Sequence, residues 1–143
     1  MKTTITACLI TLALAACAVT PPGEERTADG NVPTTRIYIK EMAIQRAGLA
    51  EVQFSRPEKF YSGEWPVELA INDVALAKLL PGEKLSIWLQ PGASYTFSAK
   101  PQQSLRIPTY MQNGDITVDL TNAGGYRISI DADEKGYVLH RAN

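Results

Sequence analysis

An all-β fold, a small antiparallel β-sandwich of about seven strands, is predicted by three features of the sequence. Apolar residues recur at every second position in run after run. Turn-forming residues bound each run. The residues that carry the pattern, 36–143, number 108, the size of one domain with one core. A strand with one apolar face must bury that face, and a second sheet is the simplest cover.

Taken in order, the first element is ambiguous. In residues 36–48, RIYIKEMAIQRAG, Ile37 and Ile39 alternate like a strand, while Thr34 or Thr35 suits a helix cap and Gly48 a helix end. A short helix or strand packed on the sandwich is expected there. Ala50, Val52 and Phe54 then alternate with Glu51, Gln53 and Ser55. Val67, Leu69 and Ile71 alternate with Glu68, Ala70 and Asn72, and after Asn72-Asp73 a strand runs from Val74 to Leu80. Leu85, Ile87 and Leu89 alternate with Ser86, Trp88 and Gln90, between Pro81-Gly82 and Pro91-Gly92. Tyr95, Phe97 and Ala99 follow, then Ile116, Val118 and Leu120 after Asn113-Gly114, and Tyr126, Ile128 and Ile130 after Gly124-Gly125. Asp133-Glu134-Lys135-Gly136 turns the chain into a last strand, Gly136 to Arg141. A period of two sustained over each run is the signature of half-buried strands.

Ahead of this lies a leader. Lys2 is followed by an uncharged run through Thr20, whose apolar part, about Ile5 to Ala16, is too short to cross a bilayer, which takes roughly 20 residues. It has the build of a secretory signal. Leu14-Ala15-Ala16-Cys17 resembles the lipobox of bacterial lipoproteins: Leu three before the cysteine, two small residues, then Cys. The resemblance implies a signal peptide over 1–16, cleavage before Cys17, and acylation (palmitate-type chains) of that residue. A transmembrane anchor and an ordinary secretion signal are the other readings of the segment. Cys8 lies inside the apolar run and leaves with the leader, so no disulfide forms within one mature chain. Several acyl chains on one residue exceed the two signals that stable anchoring takes. Ala18 stands where an Asp retains lipoproteins at the inner membrane in enteric-type bacteria, so the resemblance implies the outer membrane, periplasmic face.

Residues 17–35 read as the lipidated Cys followed by a disordered tether. AVTPPGEERTADGNVPTT holds three prolines, two glycines and no aromatic residue. It cannot bury enough apolar surface to offset the entropy of ordering it. Stretched out, it reaches roughly 60 Å.

From Ala50 to Asp131 the order of features resembles small bacterial lipoprotein domains of the PEGA-like β-sandwich type. An opening strand ends in Arg56-Pro57. A hairpin follows over Val67–Leu80. A strand then runs into Pro91-Gly92 with an aromatic return strand, Tyr95 to Ala99, and a final hairpin covers Ile116–Ile130. This chain departs at Asn72-Asp73, where glycine is usual, and in a longer insertion, Gln102 to Met111. The resemblance implies a fold and an envelope location and no particular reaction.

Composition excludes some classes. The formal charge is −1, and removal of Lys2 with the leader lowers it to −2. No basic patch suits nucleic acid. The only histidine is His140, read as a surface residue of the last strand; Ser55, Ser62 and Ser129 lack the surroundings of a nucleophile elbow. With one histidine and no free mature cysteine, the common zinc sets are excluded. Asp131, Asp133 and Glu134 lack the spacing of a calcium loop. No catalytic residue, metal or cofactor is therefore assigned. Aromatic residues are the better lead. Lys59-Phe60-Tyr61-Ser62-Gly63-Glu64-Trp65-Pro66 carries three, and Trp88 points away from its buried neighbours. Phe60, Tyr61, Trp65 and Trp88 are thus the candidate binding residues, for another envelope protein or for peptidoglycan. The competing reading has Trp88 covered by residues 36–48 and Trp65 closing an open end of the sandwich.

Overall fold

The computed structural model describes residues 24–58, 66–102 and 111–142. Cys17, Phe60, Tyr61 and Trp65, with the leader and most of the Gln102–Met111 insertion, lie outside the described residues. Within them the chain is all-β and forms two four-stranded sheets.

The strands are β1 (Ala50–Ser55), β2 (Val67–Ile71), β3 (Val74–Leu79), β4 (Lys84–Leu89), β5 (Ala93–Pro101), β6 (Gly114–Leu120), β7 (Gly125–Ala132) and β8 (Tyr137–Arg141). One sheet runs β4-β1-β7-β8 and the other β3-β2-β5-β6. The eight strands follow the runs the alternation marks, and Val67–Leu79 divides at Asn72-Asp73 as the sequence implies. These two residues have φ of 46° and 65°, the left-handed pair that a two-residue hairpin turn requires. Most neighbours are antiparallel. β1 and β7 are parallel, with Val52 opposite Tyr126 and Phe54 opposite Ile128. Alternation reports which face a strand buries and carries no information about the direction of its neighbour.

The inward set is the one the period of two picks out. Val52, Phe54, Ile87, Ile128 and Ile130 of one sheet are buried against Val67, Leu69, Leu79, Phe97 and Val118 of the other. Phe54 and Phe97 meet edge to face across the two layers, centroids 5.0 Å apart. Each such side chain contributes about 2 kcal/mol by leaving water.

The chain before β1 does not form a regular helix or strand. It makes two short 3₁₀ turns, Thr34–Arg36 and Lys40–Ala43. The folded unit also begins earlier than residue 36. Val32 N–H donates to Lys84 O and Lys84 N–H donates to Gly30 O, so residues 30–32 lie along the free edge of β4. Tyr38 N–H donates to Leu76 O at 2.8 Å, and Ile37 pairs with Ala77 on the free edge of β3. The β2/β3 register shifts between Leu69 and Ala70, leaving Leu76 as the extra residue of a bulge whose carbonyl is taken by the incoming chain. Composition marks residues 17–35 as spacer, yet Val32 within that stretch is buried, as is Arg36 just after it.

Residues 24–39 thereby close the side of the sandwich where β3 and β4 are both edges. On the other side, Gln112 N–H donates to Lys135 O and Tyr137 N–H to Gln112 O, which joins β6 to β8. The backbones pass so closely there that a Cβ on Gly114 would stand 2.2 Å from Tyr137 O.

Candidate functional site

Strand registers place a band of polar side chains on the outer face of the β4-β1-β7-β8 sheet. Trp88, Glu51 and Gly125 are neighbours across β4, β1 and β7, and Ser86, Gln53 and Arg127 form the adjacent row. Glu51, Gln53, Gly125, Tyr126, Arg127 and Ala142 line a cavity of about 290 Å³. A Cβ on Gly125 would meet nothing within 4 Å, so the floor is open there. Tyr126, next along β7, also borders the cavity while its side chain packs against the core. Its hydroxyl meets Thr121 Oγ1 at 3.4 Å and accepts from the Asn122 N–H at 3.3 Å. Those hydrogen bonds, that from Thr121 first, pull the phenol below its ordinary pKa. A carboxylate, a carboxamide and a guanidinium converge on the cavity, so it offers both acceptors and donors to a hydroxyl-rich or zwitterionic ligand.

Trp88 is half-buried, on the outward side of its strand as alternation requires. The 40–43 turn packs beside β4. Trp88 sits near the end of the sheet where β1 starts, whereas the chain leaves for residues 59–65 from Glu58, past the end of β1.

A second cluster joins three residue types considered for hydrolysis. Ser129 faces His140 across β7 and β8. Ser129 Oγ donates to Asp131 Oδ2 at 3.1 Å, and His140 Nε2 lies 3.3 Å from the same oxygen. The hydroxyl proton is thus directed at the carboxylate. In a Ser-His-acid relay the imidazole stands between the other two and takes that proton. Here the acid occupies the middle place, and His140 is half-exposed on the surface of β8, where the sequence puts it.

The most tightly organised polar group is one the sequence reading missed. Arg36 and Glu83 form a bidentate ion pair, Nη1 to Oε2 at 2.7 Å and Nη2 to Oε1 at 2.5 Å, with side chains 10% and 3% exposed. Arg36 also donates to Lys78 O and Glu25 O, and Glu83 accepts from the Leu80 N–H at 2.8 Å. Arg56 lies buried nearby, donating to Leu79 O at 2.8 Å. Burial draws its guanidinium down to about 10, opposed by Tyr137 and Glu83 and assisted by Arg26. It remains a cation at neutral pH. The pair's geometry is that of a structural clasp, with every charged end turned inward.

No family model, curated protein or solved structure matches the chain.

Proposed function

We propose that the chain is a lipid-anchored, non-enzymatic lipoprotein of the bacterial cell envelope, a binding or assembly module held at the periplasmic face of the outer membrane through Cys17. The observation that carries this is Leu14-Ala15-Ala16-Cys17 at the end of a short apolar leader. The resemblance to PEGA-like lipoprotein domains supports it. The partner is another envelope protein, bound on the outer face of the β4-β1-β7-β8 sheet. Cells fed radioactive palmitate should label the natural chain and leave Cys17→Ser unlabelled. A Cys17→Ser chain that still fractionates with membranes as before refutes the anchor.

A second reading has peptidoglycan as the ligand, and the cavity favours it. Glu51, Gln53 and Arg127 present the mixed donors and acceptors that sugars need, with the Trp88 indole directly beside Glu51 for stacking. Co-sedimentation with purified sacculi, lost on Trp88→Ala and on Arg127→Ala, is the expected result. Failure of the natural protein to sediment refutes this reading and leaves the protein-partner reading standing.

A further inference from the structure

We infer that the anchor holds the sandwich end-on, with the end bearing Glu58 and Pro81 toward the bilayer and the opposite end turned to the periplasm. This rests on the anchored reading of Cys17 and adds to it a distance and a direction. The argument starts from where the chain first becomes part of the fold. Glu24 pairs with Lys78 at 2.5 Å, next to the last residue of β3. Arg26 Nη1 donates to Pro81 O, and Glu25 O accepts from Arg36, itself clasped by Glu83. These contacts lie at one end of the sandwich, where β1 and β3 finish and β4 begins. Glu58 is there too, close against Gly82.

The covalent path from Cys17 to this end is then only residues 17–24, at most ~25 Å of chain. Had the domain begun at residue 36, the same anchor would have allowed roughly 60 Å, more than the length of the sandwich, and any orientation. A leash about as short as the object it holds cannot let the far end reach the surface as readily as the near one. The far end comprises the turns at Asn72-Asp73, Pro91-Gly92 and Asn122–Gly124, about 25 Å further along the strands. The cavity lined by Glu51 and Arg127 lies toward that end, so the bilayer does not cover it and a ligand reaches it from the periplasmic side.

The test uses the full lipidated chain in vesicles of phosphatidylethanolamine and phosphatidylglycerol containing an acceptor-labelled lipid. Donor dyes are placed at Glu58→Cys or Ala123→Cys, both exposed positions. Flotation with the vesicles is scored first. A chain that does not float refutes the anchored reading, and the orientation falls with it. In a chain that floats, energy transfer from position 58 should exceed that from position 123 by about twofold or more, given a leash of ~25 Å. Equal or reversed transfer in floating protein overturns the orientation while leaving the anchor intact. Inserting about ten Gly/Ser residues after Val19 should erase the difference, because a flexible linker of that length frees the domain to turn. A difference that survives the insertion also overturns the inference, since adhesion of the surface rather than the leash would then set the orientation.

Discussion

Removing the Glu83 carboxylate should unfold more than one local contact. In Glu83→Ala the Arg36 guanidinium stays where the fold puts it, 10% exposed, with no counter-ion. The Leu80 N–H loses its acceptor. Breaking a buried pair from one side costs about 3–5 kcal/mol, against 0–1 kcal/mol for an exposed bridge. For a domain of this size a urea slope near 1–2 kcal/mol/M turns that loss into a midpoint shift of about 1.5–5 M. Equilibrium urea unfolding followed by tryptophan emission reads it directly. The double variant Arg36→Met/Glu83→Leu separates buried charge from lost contact. It leaves neither charge unpaired and should recover most of the stability, because apolar residues of similar volume often replace a buried pair without loss. A single variant that loses under about 1 kcal/mol would show that solvent reaches the pair, and the clasp would reduce to a surface bridge.

Three further outcomes follow from the fold. Gly114→Ala should cost about 2–3 kcal/mol in the same unfolding assay, because its Cβ would stand 2.2 Å from the Tyr137 carbonyl oxygen and backbone must move to admit it. Asp73→Gly should stabilise by up to about 1 kcal/mol, since Asp73 holds a φ of 65° that glycine adopts without strain; Asn72 is left in place because its Oδ1 accepts from the Thr96 N–H. Asp133 accepts from the N–H groups of Lys135 and Gly136, which lower its pKa from the ordinary 3.8. A carboxylate depressed on folding stabilises above its unfolded pKa and loses that contribution as pH falls through the folded one. The amide shifts of Lys135 and Gly136 in an NMR titration should therefore follow a transition whose midpoint lies below the ordinary 3.8. Movement centred above that value would refute the bonding.

What the sequence discloses is the face each strand buries. Every alternating run from Ala50 on became a strand, and even two of the hidden charges lie on the pattern. Arg56 continues Ala50, Val52 and Phe54 by one step, and Glu83 precedes Leu85, Ile87 and Leu89 by one. Extending each inward register past its last apolar residue would have found them. Arg36 carries no such mark: its partner lies 47 positions away, and pairing at that range is invisible in a single chain. The same reason conceals the neighbours of each strand, and with them the parallel contact of β1 and β7. The cavity was illegible because Glu51, Gln53 and Arg127 read simply as the solvated side of their strands until registers place them in adjacent rows. Trp88 was legible as outward-facing, and the expectation that residues 36–48 pack on the sandwich is met by the 40–43 turn beside its strand.

The parallel contact has a consequence for how the molecule is made. β1 lies between β4 and β7, so its second partner is supplied some seventy residues later, at Gly125–Ser129. A ladder between segments so far apart cannot form until nearly all the polypeptide has been synthesised, and distant pairing is slow to nucleate. During that interval Val52 and Phe54 stand in a half-built layer, exposed to any chaperone that grips greasy segments.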